Sequence, residues 1–112
     1  MKLNFVAVTD KSEYLPVLQK QMEENFPKSE SMPVKFMAKS KDIDLYAVFD
    51  RDLNKAFIGF EGRYVFGRGV YIFYLSVGKN FQGMGYGSRI INKIFICLYF
   101  IGCKHRNSPP YL

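Results

Sequence analysis

Leu75-Ser76-Val77-Gly78-Lys79-Asn80-Phe81-Gln82-Gly83-Met84-Gly85-Tyr86-Gly87-Ser88 is the stretch on which the reading of this chain turns. A strand-like run, Gly69 to Val77, leads into it. A helical stripe of Ile90, Ile91, Ile94, Phe95 and Leu98 leads out. Glycine reaches backbone conformations closed to other residues and lets an anion come close to the main chain, so Gly83, Gly85 and Gly87 suit a phosphate cradle. The start of the following helix offers N–H groups without intrahelical acceptors and about half a positive charge. Arg89 and Lys93 add formal charge in its first turns. A pyrophosphate held mostly by backbone is the expectation. A flexible turn needing no ligand accounts less well for three alternate glycines at a strand-to-helix junction.

Two other nucleotide-binding patterns are excluded. The phosphate loop of the Walker type needs Gly-Lys-Ser/Thr, and Gly78-Lys79-Asn80 fails it. The dinucleotide fingerprint needs glycine where Ser88 stands and an acidic residue about 20 positions later, but the chain has no acid after Glu61.

Upstream of the loop, Lys2 to Val8 reads as a first strand, with Thr9 or Asp10 as the cap of a helix carrying Tyr14, Leu15, Leu18, Met22 and Phe26 up to Pro27. A second helix includes Val34, Phe36 and Met37, with Ser31 as cap and Pro33 near its first turn. From Asp42 the period changes to two. Leu45, Ala47 and Phe49 alternate with Asp44, Tyr46 and Asp50 in a half-buried strand, and Ala56–Arg63 and Gly69–Val77 complete an antiparallel meander. The order of elements predicts an α+β fold, close to α/β: a mixed, mainly antiparallel sheet flanked by helices. The aromatics from Phe57 to Tyr74 are read as core and cross-strand packing.

The 112 residues fit one domain, and 48% hydrophobic content with 23% charged residues suits a soluble globule. The N-terminus lacks the apolar region and cleavage site of a signal peptide, and no apolar run is long enough to span a membrane. With Cys97, Cys103 and one histidine there is no metal set or disulfide framework, so a cytoplasmic protein is expected. Residues 1–61 carry nine basic and ten acidic side chains, whereas residues 62–112 carry seven basic ones (Arg63, Arg68, Lys79, Arg89, Lys93, Lys104, Arg106) and no acid. That asymmetry favours an anionic partner. Nucleic acid is disfavoured because the basic groups are dispersed and no recognition motif accompanies them.

The motif Gln82-Gly83-Met84-Gly85-Tyr86-Gly87 resembles, in register, the pattern of the GNAT superfamily of N-acetyltransferases: Gln or Arg, two residues, Gly, any residue, Gly or Ala. Tyr71–Val77 is similar to that family's fourth strand and Ile58-Gly59-Phe60 to its third. The resemblance covers roughly residues 1–97, leaving 98–112 as an atypical tail. It implies acetyl-CoA as cofactor, with the main chain of Leu75 and Val77 pairing the pantetheine arm across Leu75-Ser76-Val77, and Gln82, Gly83, Met84, Gly85, Tyr86, Gly87 and Ser88 cradling the pyrophosphate. It also implies direct attack by a primary amine of a small molecule or peptide, which asks of the protein positioning, deprotonation of the amine and stabilisation of the oxyanion.

The resemblance breaks in two places. A glutamate base often stands on the family's fourth strand, and by register the position is Tyr71. Any carboxylate base must come from residues 1–61, and Glu61, read as lying at the end of the third strand, is the candidate; the plainer alternative is a solvated charge near Arg63. The family's later strands and its tyrosine proton donor are not recognisable in Ile96–Leu112, and neither Tyr99 nor Tyr111 has the matching context. A truncation or frameshift is expected. The exposed strand edge would then be covered by a homodimer or strand exchange, or by the tail folding back. A non-catalytic CoA-binding or oligomerising remnant is the rival to an active transferase.

Overall fold

The computed structural model describes residues 2–66 and 69–96. In chain order these form strand β1 (Leu3–Ala7), helix α1 (Leu15–Asn25), helix α2 (Val34–Lys39), strands β2 (Ile43–Asp50), β3 (Ala56–Phe66) and β4 (Gly69–Val77), and helix α3 (Tyr86–Ile96). The strands make one sheet in the order β1-β2-β3-β4, antiparallel at each pairing. This is the α+β arrangement that the alternating patterns foretell.

The register follows from which residues each strand must bury. Ile43, Leu45 and Ala47 of β2, Phe60 of β3 and Tyr74 of β4 face α1 and α2, where Leu18, Met22, Val34 and Met37 complete the larger apolar core. Full burial of one such side chain contributes roughly 1.5–3 kcal/mol, so this cluster carries most of the driving force. The opposite face meets α3. Ile90 and Ile94 pack there on Val48, with Leu3, Phe5, Ile72, Leu75 and Val77 around them. Because this second face is covered, Asp44 and Asp50, which the alternation places on a solvated side, are buried at 0% and 2% exposure. β2 is therefore buried on both faces.

Both helix starts differ from expectation. Thr9 and Ser12 form a local turn, with Thr9 N donating to Ser12 Oγ at 2.8 Å, and α1 begins only at Leu15 with Pro16 in its first turn. There the missing proline N–H costs nothing. Ser31 turns back to donate to Lys28 O, and Pro33 occupies the α2 cap position without a side-chain bond. Phe36 is exposed rather than packed. β3 runs three residues beyond its expected end, which places Glu61 mid-strand. At Gly59 the sheet needs glycine: a Cβ there would lie 1.9 Å from the Ser76 carbonyl oxygen.

Candidate functional site

The site forms where β4 runs out. Gly78 N still donates to Ile58 O at 2.8 Å, the last rung of the β3–β4 ladder, and a single 3-10 turn, Lys79–Phe81, closes with Phe81 N on Gly78 O at 2.9 Å. Gly83 and Gly85 then take φ of +76° and +87°, left-handed values that cost other residues on the order of 1 kcal/mol or more. Two residues of freedom thus turn the chain into α3. The helix start is held by Tyr86, whose ring is buried edge-on to Phe81 and whose hydroxyl donates to Asp50 Oδ2 at 2.7 Å. That bond and, after it, burial hold the phenol pKa above its ordinary value of 10.0.

Gly87 differs from the other two. It lies within α3, and a Cβ there would meet nothing within 4 Å. Glycine costs up to about 1 kcal/mol relative to alanine in a helix interior, and Gly87 stands in the first turn. The fold alone gives no reason for it.

Between the end of α1, the edge of β4 and the glycine loop lies a cleft of about 560 Å³, lined by Glu24, Asn25, Phe26, Leu75, Ser76, Val77, Lys79, Gln82 and Gly87. The ladder sets what β4 offers to it. Since Gly78 pairs with Ile58, alternation turns the backbone of Ser76 and Tyr74 toward β3 and that of Leu75 and Val77 toward the free edge. Among the described residues no strand pairs with that edge.

A polar network fixes the same edge to α1. Ser76 Oγ donates to Gln21 Oε1 at 2.8 Å and accepts from Asn25 Nδ2 at 2.7 Å. Asn25 Nδ2 also reaches Val77 O at 2.9 Å, and Gln82 Nε2 donates to that same oxygen at 2.9 Å. Each buried member left without a partner would cost about 1–3 kcal/mol, so the network locks the relative position of helix, strand and loop.

Of the residues singled out in the sequence, Leu75, Ser76, Val77, Gln82 and Gly87 meet in the cleft wall. Gly83 and Gly85 shape the loop, Met84 and Ser88 are exposed beside it, and Tyr86, outside the cleft wall, anchors the helix by its side chain. Sequence reading missed Gln21, Glu24, Asn25 and Asp50. For Gln21 and Asn25 a signal existed: two amide side chains four apart, flanking the buried stripe of Leu18 and Met22. For Asp50 none did.

Glu61 is neither strand-terminal nor solvated. It is fully buried on the α3 face, between Tyr46 and Leu75 in the register, and its Oε1 lies 2.9 Å from Arg63 Nε. Arg63 stacks on the Tyr46 ring at 4.4 Å, and Asp44 is buried on the same face. Burial, reinforced by the Asp44 charge, pushes the Glu61 carboxyl from 4.5 up to about 7 against the opposing pull of Arg63. The cleft wall does not include it. Tyr71 stands exposed toward the β3–β4 connection, its ring stacked on Phe73. Cys97, Leu98, Tyr99, Cys103, His105, Tyr111 and the tail 98–112 lie outside the described residues. Among the described residues no helix is long and apolar enough to cross a membrane, and no three His, Cys, Asp or Glu side chains gather as metal ligands.

No protein-family model matches the chain, and no match is found among curated proteins. Among solved structures it is similar to a Bacteroides thetaiotaomicron protein assigned to the GNAT family of acetyltransferases, with a TM-score of 0.70 and 20% identity. The match covers 84% of this chain and 53% of that one, so the chain spans about half the length of this structural relative. At that identity the likeness concerns fold alone, and the conclusion it carries is that the α+β fold described above is shared with a GNAT-type acetyltransferase.

Proposed function

We propose that the chain binds acetyl-CoA in the cleft between β4 and the glycine loop and serves acyl transfer to a primary amine. The observation that carries this reading is Gly87: a helical glycine with open space over its Cα, on the wall of a cleft that also offers a free strand edge. A ligand lying against the backbone explains a glycine that folding does not. The residues present fit the cofactor by chemistry. The edge-facing main chain of Leu75 and Val77 matches an amide-bearing arm. The loop and first turn of α3, with Lys79 and Arg89 nearby, match a pyrophosphate.

When bound, acetyl-CoA supplies an activated thioester carbonyl. The chain's part is to hold and align it, which accounts for much of the rate gain in reactions between two bound partners. The amine must be neutral to react, and two carboxylates bear on its proton. Glu61 has the proton affinity of a base working near neutrality but no exposure to the cleft. Glu24, on the cleft wall, has the exposure.

That separation favours a second reading, a CoA-binding protein without turnover. Calorimetric titration of acetyl-CoA into the 112-residue chain, with Gly85→Glu as control, tests the shared part. Binding that the variant abolishes supports the site; no binding by a folded chain refutes it. Release of free CoA thiol in the presence of amines then separates transferase from binder.

A further inference from the structure

The Val77 carbonyl is already full. It faces the free edge, and a carbonyl oxygen has two lone pairs; Asn25 Nδ2 and Gln82 Nε2 each donate to it at 2.9 Å. Any extended ligand adding to β4 as an extra strand needs an acceptor at this place, because its own amide N–H would otherwise be buried without a partner. One of the two side chains must leave.

The two are not equally held. Asn25 is half-buried, and its Nδ2 simultaneously serves Ser76 Oγ at 2.7 Å, within the network that includes Gln21. Withdrawing it would break two bonds and strip Ser76 of a donor. Gln82 is exposed, sits in extended backbone between the 3-10 turn and Gly83, and reaches back only five residues to Val77. Rotating its side chain breaks one bond and returns an amide to water.

We propose that Gln82 is a removable plug: its side-chain amide occupies the strand-edge position that an incoming pantetheine amide would take, and it swings out as the arm docks. The proposal rests on the acetyl-CoA reading above and adds a specific role for this side chain, competition with the ligand rather than attraction to it. The plug also caps the otherwise open end of the β4 edge against pairing with other chains.

The test is affinity measured with two probes, acetyl-CoA and 3′-phospho-ADP, which keeps the phosphates and lacks the arm, on the unaltered chain and on Gln82→Ala. Because Gln82 is exposed, the variant is expected to fold, and circular dichroism checks it. A plug predicts that Gln82→Ala binds acetyl-CoA about fivefold more tightly, the worth of one net hydrogen bond, with no such tightening toward 3′-phospho-ADP. Gln82→Glu, which cannot donate to Val77 and adds an anion, binds both probes more weakly than Gln82→Ala. If Gln82→Ala binds acetyl-CoA equally or more weakly while the unaltered chain binds it well, the plug is overturned and the cofactor reading stands. If neither protein binds either probe, both are overturned together.

Discussion

On the face covered by α1 and α2, the sheet buries a large apolar cluster whose polar neighbours, Gln21, Asn25 and Ser76, satisfy one another at neutral charge; on the face covered by α3, a smaller cluster shares the surface with Asp44, Glu61 and Arg63. The first arrangement gains from burial and loses little to desolvation. The second takes charged groups out of water, where attraction within a pair at best offsets the cost of removing both from solvent. Stability therefore resides on one face. The other, which carries α3, is the face whose stability ionisation can change. The cleft lies at the border of the two, walled by the end of α1 on one side and by β4 and the loop that starts α3 on the other.

Four changes would break or sharpen this contrast. The largest is Phe60→Ala on the α1/α2 face, which should cost about 3–5 kcal/mol in denaturant unfolding, because Phe60 is fully buried at the centre of the larger cluster. A loss below about 1 kcal/mol would mean that the stable face has been misjudged. Next is the pH response of the α3 face. With a folded-state pKa raised to about 7 from 4.5, Glu61 binds its proton more tightly folded than unfolded. Its contribution is fully present below about pH 4.5 and is lost as pH rises through 7, at most about 3 kcal/mol. Unfolding free energies from pH 4 to 8 should show this slope in the unaltered chain and a flatter profile in Glu61→Gln; identical slopes would remove Glu61 from the account.

Tyr86→Phe deletes the bond to Asp50 that fastens the α3 start to β2, and should cost about 1–2 kcal/mol while weakening acetyl-CoA binding. Unchanged binding would separate the anchor from the site. The smallest effect is of opposite sign. Gly87→Ala should raise thermal stability by up to about 1 kcal/mol, since alanine is the better helix residue and its Cβ meets nothing. A bulkier Gly87→Leu, equally compatible with the helix, should abolish ligand binding without unfolding the protein. Loss of stability in both would show that folding, after all, requires that glycine.

Much of this architecture was legible from the chain because each cue was local. Period-two alternation in Leu45, Ala47 and Phe49, the end of β4 at Val77, and the Ile90 and Ile94 stripe all depend on neighbours in sequence. What stayed hidden depends on partners far along the chain. Asp44 and Asp50 read as solvated because nothing local announces that α3 returns to cover them. Glu61 reads as near a strand end because Gly67 and Gly69 draw the turn back toward Arg63, whereas β3 continues through Tyr64-Val65-Phe66. Half of the cleft was legible, as the glycine loop and β4; the half from α1 was not, since Asn25 acquires its meaning only by meeting Ser76 across 51 positions.

The strand order has a consequence for how the molecule comes to exist. β2 pairs with β3 and β3 with β4, each closing a short loop that costs little chain entropy, whereas β1 waits for residues 8–42 to be gathered before it can join β2. Loop-closure entropy alone favours forming the meander first and the long-range Asn25–Val77 clasp after it. On that order the cleft, which needs α1 docked on β4, is completed only after the sheet, and a chain with its sheet formed but α1 undocked has no cleft wall from residues 24–26.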